Sequence, residues 1–460
     1  MAIGACLCSC GGSREEVYKD STAPVKDRVE DLLKRMTLEE KVGQMNQFVG
    51  VEHIKANSAV MTEEELKNNT ANAFYPGFTE KDIEKWTEEG LIGSFLHVLT
   101  IEEANYLQSL AMKSRLQIPI IFGIDAIHGN ANAPDNTVYP TNINLACSFD
   151  TLMAYKIARQ TAKEMRAMNM HWTFNPNVEV ARDARWGRVS EGNGEDPFLG
   201  AAIARAMVRG YQGKDMSRNN EIMACVKHFA LYGAPEAGRD YNTVDMSHQR
   251  MFNEYMLPYQ AAVEEGVGSV MASFNEVDGV PATGNKWLMT DVLRKQWGFG
   301  GFVVTDYTGI TEMTDHGMGD TQAVAALALN AGVDMDMVSD AFTSTLKKSL
   351  EEGKVSVKAV DAACRRILEA KYKLGLFDNP YKYCDVTRPK KEVFTKEHRA
   401  IARKTASESF VLLKNEGNVL PLAKKGTIAV VGPLADSRSN MPGTWSVAAV
   451  MNKYPSLIEG

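Results

Sequence analysis

Residues 118–125 read IPIIFGID and residues 301–306 read GFVVTD, two short apolar runs that each end in an aspartate. Runs of this length, rich in β-branched and aromatic residues, are typical of strands buried on both faces of a sheet. Six further runs have the same character: 42–49, 91–98, 170–177, 222–230, 267–275 and 331–337. The chain therefore contains eight candidate strands.

The segments between these strands have the pattern of amphipathic helices. In residues 150–168 and 199–213, apolar side chains recur every three to four positions, as in helices that cover a sheet. Eight strands alternating with helices over roughly 300 residues predict a closed (β/α)8 barrel. We therefore expect an α/β fold with a TIM-like barrel over residues 25–376, closed by helices within 341–376.

The chain changes character near residue 377. Residues 377–389 are rich in proline and tyrosine and open a predicted linker over 377–425, in which residues 398–416 have a helical pattern. Residues 426–436, GTIAVVGPLAD, predict a buried strand that runs into a turn, as at the start of an open α/β sheet. We expect residues 426–460 to be the truncated start of an α/β sandwich domain.

The composition excludes several classes of protein. The chain has 460 residues, of which 44% are apolar and 24% charged, as in ordinary globular proteins. Lys and Arg number 51 against 58 Asp and Glu, and the resulting net charge of −7 argues against a nucleic-acid partner. No run of eighteen apolar residues occurs, so no membrane-spanning helix is predicted.

Three of the seven cysteines, Cys6, Cys8 and Cys10, lie in the first ten residues. Their spacing lacks the second ligand pair of a zinc site. The run MAIGACLCSCGGS instead resembles the end of a secretory signal before a lipid-modified Cys10. We expect residues 1–24 to be the remnant of such a signal on an exported, periplasmic or membrane-anchored bacterial protein; the alternative is a disordered N-terminal stub.

Polar residues follow the predicted strands, and in α/β barrels reactive groups lie at the C-terminal ends of strands. These residues are Asp125, His128, Asn175, Asn177, Lys227, His228, Asn275, Asp306, Asp334 and Asp336. Their regular placement after apolar runs predicts a polar ligand site at the barrel mouth.

Asp306 is the strongest candidate for a reacting group. A carboxylate directly after the apolar run GFVVT is held rigidly, which suits a nucleophile. The alternative is an aspartate that caps the next helix.

Lys227 is open to three interpretations from the sequence alone. At a strand end it could form a Schiff base, donate with His228 to substrate hydroxyls, or belong to a structural ion pair. Residues 181–197, ARDARWGRVSEGNGEDP, mix guanidinium groups, carboxylates and glycines and could hold a polyhydroxylated ligand. They lack the GxGxxG spacing of a phosphate loop.

Metal and serine-nucleophile motifs are absent from the sequence. It has no HExxH, no paired CxxC and no GxSxG, so we expect no metal and no other cofactor.

Six motifs, taken in order, resemble glycoside hydrolase family 3, in particular its bacterial β-glucosidase branch. They are GIDAIHG (123–129), ARDARWGRVSEGNGEDP (181–197), KHFALYGAPEAGRDYNTVDMS (227–247), MASFNEVDGVPATGN (271–285), WGFGGFVVTDYTGI (297–310), and ASESFVLLKNEGNVLPL with IAVVGP (406–433). The resemblance runs from about Val25 to the end of the chain.

The resemblance implies a retaining, exo-acting hydrolysis of terminal non-reducing β-D-glucosyl residues, with a small carbohydrate as substrate. Asp306 would be the nucleophile, and Asp125, Arg188, Lys227 and His228 would bind hydroxyls of the terminal sugar. The family's acid/base glutamate comes from the second domain after IAVVGP. No glutamate here matches its motif, so we expect it beyond Gly460.

Two departures from the family pattern concern aromatic residues of the site. Phe274 stands where a tyrosine is usual, and Tyr307 replaces a frequent tryptophan while keeping an aromatic platform for a sugar face. The alternatives are a β-xylosidase or broader β-glycosidase of the same family, a truncated sugar-binding barrel with little activity, and an unrelated barrel lyase that uses Lys227.

Overall fold

The structure is a computed structural model that describes residues 16–60, 62, 75, 78–131, 133, 135–446, 450 and 453–460. The predicted lipid acceptor Cys10 lies outside the described residues.

Eight parallel strands form a nearly closed barrel, and each overlaps one of the eight predicted strands. They are β1 (Asn46–Val49), β2 (Ser94–Leu96), β3 (Ile121–Ile124), β4 (Trp172–Thr173), β5 (Met223–Phe229), β6 (Ser269–Ala272), β9 (Phe302–Val304) and β10 (Asp336–Met337). A short hairpin of β7 (Glu276–Val277) and β8 (Val280–Pro281) stands apart from this sheet.

The order of strands in the sheet is β10-β1-β2-β3-β4-β5-β6-β9, and a bridge between Val304 and Met335 joins its two ends. In register, Gln47 pairs with Ser94, and Ser94 with Ile121. The predicted α/β barrel is confirmed.

Helices surround the strands, including those predicted in residues 150–168, 199–213 and 341–376. They are α1 (Val25–Arg35), α2 (Leu38–Gln44), α3 (Val51–Val60), α4 (Glu80–Glu89), α5 (Ile101–Ala111), α6 (Asn142–Cys147), α7 (Thr151–Ala167), α8 (Pro197–Gln212), α9 (Leu257–Glu264), α10 (Thr321–Ala331), α11 (Ala341–Glu351), α12 (Val357–Lys373), α13 (Arg388–Glu392) and α14 (Lys396–Glu408). A π-helix spans Trp287–Gln296. Among the helices of the described residues, none is long and apolar enough to cross a bilayer.

Capping side chains determine where several of these helices begin. Asp150 accepts a hydrogen bond from the Met153 N–H, and Ser356 accepts one from the Ala359 N–H. Each bond satisfies an N–H group that has no partner within its own helix.

Aromatic side chains fill the inside of the barrel. The Trp172 ring lies 4.6 Å from the Phe174 ring and 5.0 Å from that of Phe302, measured between centroids. A Cβ atom on Gly123 would approach Phe174 to 2.8 Å, so this strand position has no room for a side chain. Because the interior is packed, a ligand has access only to the ends of the barrel.

Lys371 lies at the N-terminal end of the barrel, opposite the predicted site. Its buried ammonium donates to Gln44 Oε1 at 2.5 Å and to the carbonyl oxygens of Gly93 and Pro119 at 2.9 and 2.5 Å. This lysine therefore joins elements of the fold and faces away from the mouth.

The predicted strand at the start of the second domain is not formed. Ile428, Val430 and Val431 are exposed, and no β-strand follows Met337 within the part of the chain that the structure describes. A strand is stable only when a neighbour satisfies its backbone groups, and none of the described residues pairs with this segment. The helix predicted in residues 398–416 is present as α14 and ends earlier, at Glu408.

Contacts between the C-terminal region and the barrel include one beside α7 and one at the mouth. Beside α7, the Glu164 carboxylate lies 2.6 Å from His398 Nδ1 of α14. At the mouth, the Thr444 carbonyl oxygen lies 2.5 Å from His128 Nε2. The second contact brings residues 441–446 over the predicted site.

Candidate active site at the barrel mouth

Three strands of the barrel, β3, β5 and β9, bring the predicted site residues together. Asp125 directly follows β3, Lys227 and His228 lie near the end of β5, and Asp306 follows β9. The carboxyl ends of parallel strands meet at one face, so these side chains surround the mouth.

Lys227 and Asp125 form a buried ion pair, with 2.6 Å between Nζ and Oδ1. The Lys227 side chain is only 2% exposed. Burial by itself would lower the pKa of Lys227, but the negative charges of Asp125, Glu191 and Asp306 together outweigh it and raise that pKa above its ordinary value. Lys227 is therefore a charged donor, whereas Schiff-base formation needs a neutral amine.

Asp306 is held through its Oδ1 and lies beside His228. The Tyr307 backbone N–H donates to Oδ1 at 2.7 Å, and His228 Nε2 lies 3.3 Å from Oδ2. Burial raises the pKa of Asp306 to about 6, and the positive charges of Arg188 and Lys227 limit the rise. At neutral pH the carboxylate is ionised and fixed in position, as a nucleophile requires.

His228 is oriented by the carboxylate of Glu179, a residue that no sequence motif pointed to. Glu179 Oε1 accepts from the His228 backbone N–H at 2.5 Å and lies 2.6 Å from Nδ1. Burial lowers the pKa of His228 well below its ordinary value, so the ring is neutral, with its proton on Nδ1 toward Glu179. Nε2 then accepts from Arg188 Nη2 at 3.1 Å.

Arg188 is locked in place by Glu191. Its Nε and Nη2 donate to the two carboxylate oxygens of Glu191 at 2.7 and 3.0 Å, the bidentate geometry in which guanidinium groups bind carboxylates most strongly. The guanidinium also lies 5.3 Å from the centroid of the Tyr232 ring. The three-residue spacing of Arg188 and Glu191 was visible in the sequence, where their loop was already expected to hold a ligand.

The two predicted aromatic residues occupy different positions. Tyr307 is half-buried beside Asp306. Phe274 is buried, with its ring centroid 4.7 Å from that of Tyr241 and 5.8 Å from that of Tyr232. Phe274 therefore supports aromatic residues at this side of the mouth, and its direct contact with a sugar stays a prediction.

Other strand-end residues stabilise the fold. Asp334 binds Arg294 and Arg366 at 2.5 and 2.6 Å. Asp336 accepts from the backbone N–H groups at the start of α11. His128 Nδ1 lies 2.7 Å from the Tyr139 carbonyl oxygen.

Two further residues at the mouth, Trp445 and Glu312, could not be assigned to the site from the sequence. The Trp445 ring centroid lies 5.3 Å from Lys227 Nζ and 5.9 Å from Arg188 Cζ, although more than two hundred residues separate them in the chain. Glu312 accepts from the Thr308 hydroxyl at 3.0 Å, and burial together with nearby Asp306 raises its pKa to about 7. With these residues, the mouth has an aromatic outer side and a charged interior.

The described residues contain no group of three His, Cys, Asp or Glu side chains that could hold a metal ion. What the mouth offers is one fixed carboxylate surrounded by charged and polar donors and acceptors. This arrangement suits a neutral, polyhydroxylated ligand whose hydroxyls both donate and accept.

The chain is similar to known proteins over most of its length. Residues 37–370 match the glycosyl hydrolase family 3 N-terminal domain, and residues 410–460 match the C-terminal domain of the same family. A periplasmic beta-glucosidase of Salmonella typhimurium is 40% identical over 441 residues, which cover 94% of this chain and 53% of that protein. A beta-xylosidase of Formosa agariphila is 36% identical over 80% of this chain and 54% of its own length.

Solved structures of beta-glucosidases are also similar to this chain. A beta-glucosidase from Listeria innocua superposes with a TM-score of 0.86 at 38% identity, over 95% of this chain and 58% of that one. The same enzyme in complex with glucose gives a TM-score of 0.84 at 38% identity, over 94% of this chain and 58% of that one. The chain spans about half the length of the curated relatives it matches. With both domain matches and this identity, the chain belongs to glycosyl hydrolase family 3.

Proposed function

We propose that this protein hydrolyses terminal non-reducing β-D-glucosyl residues from β-glucosides and oligosaccharides, one at a time and with retention of configuration. The observation that carries the proposal is the position of Asp306, held by the Tyr307 N–H and next to His228 at the mouth of the barrel. The similarity to beta-glucosidases of Salmonella typhimurium and Listeria innocua supports the choice of sugar.

The reaction has two steps. In the first, an Asp306 oxygen forms a bond to the anomeric carbon while the bond from that carbon to the aglycone oxygen breaks, and the leaving oxygen takes up a proton. In the second, water displaces Asp306 from the same carbon and gives up a proton. The family resemblance assigns both proton transfers to a glutamate of the second domain, and we assign none of the glutamates of this chain to that role.

The remaining residues bind the terminal sugar. The Asp125 carboxylate accepts hydroxyl protons, and the Lys227 ammonium and Arg188 guanidinium donate to hydroxyl oxygens. His228 Nε2, which carries no proton and lies next to Asp306, accepts from the hydroxyl closest to the anomeric carbon in place of the Arg188 N–H that it binds without the sugar. Tyr307 and Phe274 contribute aromatic surface. Because the donors are already paired with carboxylates, they are in position before the sugar arrives.

The experiment that tests this function uses an aryl β-glucoside with an activated leaving group, which departs without a proton from the enzyme. Wild-type protein is expected to release the phenol and, by NMR, to yield β-glucose first. Asp306→Asn is expected to lose this turnover by at least about a thousandfold, because the amide is a poor nucleophile. Initial release of α-glucose, or unchanged turnover by Asp306→Asn, would overturn the proposal.

A second candidate is β-xylosidase activity, favoured by the similarity to the Formosa agariphila enzyme. Glucose and xylose present the same three secondary hydroxyls, so the residues assigned above serve both sugars. The ratio of turnover on the aryl β-glucoside to that on the aryl β-xyloside decides between them. A barrel that binds glucose but transfers none of it to Asp306 would correspond to the sugar-binding alternative.

We also propose that the protein is exported and anchored through a lipid on Cys10, with the barrel over residues 25–376 and a second domain from residue 426. The periplasmic relative supports export, and the CSCGGS run supports the acceptor cysteine. Cys10→Ser is expected to move the protein from the membrane fraction to the periplasmic fraction of a bacterial host. Equal fractionation of both proteins would contradict the anchor.

A further inference from the structure

His97 lies at the mouth, directly after β2, in a backbone conformation that side chains rarely adopt. Its φ angle is +53°, in the left-handed region. Non-glycine residues in this region are held there by their surroundings and are frequent at functional sites. The imidazole is half-buried, and its centroid lies 6.3 Å from that of Tyr307, with 28° between the two ring planes.

The site residues divide the mouth into two edges between Asp306 and Asp125. One edge is charged and polar: His228 is 3.3 Å from Asp306, Arg188 is 3.1 Å from His228, and Lys227 is 2.6 Å from Asp125. The other edge runs from Tyr307, next to Asp306, across to His97, whose strand β2 neighbours β3 with Asp125.

A glucopyranose bound with its anomeric carbon at Asp306 also has two edges. The three secondary hydroxyls are contiguous on carbons 2, 3 and 4, whereas the ring oxygen and the hydroxymethyl group on carbon 5 lie on the opposite side. Along the charged edge, hydrogen-bonding side chains follow one another from Asp306 to Asp125, so that each of three consecutive hydroxyls has a partner. The hydroxymethyl group therefore falls on the edge formed by Tyr307 and His97.

We propose that His97 binds the hydroxymethyl group of the terminal sugar and thereby makes the site select glucose over xylose, which lacks this group. The inference rests on the proposed function, whose reaction brings the anomeric carbon to Asp306. His97 is then the residue that determines specificity. It lies outside the six sequence motifs and apart from the sugar contacts proposed above.

The hydrogen-bonding state of His97 matches such a ligand. Its Nδ1 is buried and has no hydrogen-bond partner among the described residues. Burial lowers the pKa of His97 to about 4, opposed by the charge of Asp125, so the ring is neutral at physiological pH. A neutral imidazole carries one donor and one acceptor, the same pair that a primary hydroxyl carries.

The test compares two inactivators, 2-deoxy-2-fluoro-β-D-glucosyl fluoride and its xylosyl counterpart. In each, the bond to fluoride breaks, an ester bond to Asp306 forms and fluoride departs without a proton. The second-order rate of adduct formation is followed by intact-protein mass spectrometry for wild type, His97→Ala and His97→Asn. His248→Asn is the matched control, since that histidine is exposed on a surface helical turn.

His97→Ala is expected to slow the glucosyl reaction about tenfold and the xylosyl reaction less than about twofold, the effect of one lost hydrogen bond to a hydroxyl. His97→Asn, which keeps a donor and an acceptor, is expected to retain part of the preference. The control is expected to react like wild type with both sugars.

Equal slowing of both reactions by His97→Ala, or an unchanged ratio between them, would overturn the assignment of His97. If that variant does not fold, the 6-deoxy glucosyl fluoride on wild type decides: about tenfold slower reaction than the parent is expected, and equal rates would overturn the assignment. Absence of an adduct with either sugar on wild type would instead overturn the proposed function, and the role of His97 with it.

Discussion

Replacing Lys227 by methionine removes one partner of the buried pair with Asp125 and tests whether this pair organises the mouth. At 2.6 Å and an effective dielectric constant of about 20, the attraction between the two charges is about 6 kcal/mol. Part of this attraction offsets the cost of burying the charges. Leaving the Asp125 carboxylate without its cation is therefore expected to lower the free energy of unfolding by about 3–5 kcal/mol.

Urea unfolding of four proteins measures this coupling: wild type, Lys227→Met, Asp125→Asn and the double variant. We expect the double variant to be more stable than the sum of the single losses implies, with a coupling energy of about 2 kcal/mol or more. Turnover of an aryl β-glucoside is expected to fall at least about a hundredfold in each single variant and to stay low in the double variant, because sugar contacts are lost whether or not stability recovers.

Lys41→Met is the matched control. Lys41 and Asp361 also form a lysine–aspartate pair at 2.8 Å, but their side chains are 15% and 32% exposed. Water screens such a pair, so its loss is expected to cost less than about 1 kcal/mol. Additive losses in the Lys227 and Asp125 variants, or equal losses for Lys227→Met and Lys41→Met, would refute the reasoning.

Three further predictions concern Asp306, Arg188 and Trp445. Since burial raises the pKa of Asp306 from its ordinary value to about 6, ionisation of this group opposes folding at neutral pH. Asp306→Asn is expected to stabilise the protein by about 2 kcal/mol at pH 7.5 and by progressively less as the pH falls toward 4, as measured by urea unfolding; a loss of stability at pH 7.5 would contradict this. Because the nucleophile must be ionised, kcat/KM is expected to fall as the pH decreases below about 6. Arg188→Met is expected to move this decrease to higher pH, since the guanidinium lowers the pKa of Asp306. A decrease at the same pH in both proteins would argue against an interaction between Arg188 and Asp306. Trp445→Ala is expected to weaken glucose binding about fivefold by NMR titration and Trp445→Phe by less, because phenylalanine keeps an aromatic ring over Lys227; equal affinities in all three proteins would place Trp445 outside the site.

The strands and the residues that follow them were predictable because both signals are local. A buried strand of a parallel sheet reads as an apolar run, and its carboxyl end locates the mouth. Asp125, Lys227, His228 and Asp306 were found in this way, and the structure brings all four together.

The rest of the site depends on contacts between distant parts of the chain. Glu179 reaches His228 across 49 positions, and Trp445 reaches Lys227 from the C-terminal region. His97 carries no motif, and its meaning depends on its neighbour Tyr307. The strand predicted in residues 426–436 shows the same limit, because an apolar run forms a strand only where another strand pairs with it.

The central claim is that Asp306 forms a bond to the sugar. Protein inactivated with 2-deoxy-2-fluoro-β-D-glucosyl fluoride is digested, and the peptide that carries the added sugar is sequenced by tandem mass spectrometry. We expect one fluoroglucosyl group per chain, attached at Asp306 within GFVVTD, and none on Asp306→Asn. A sugar attached to any other residue, or an unmodified wild-type chain, would contradict this account.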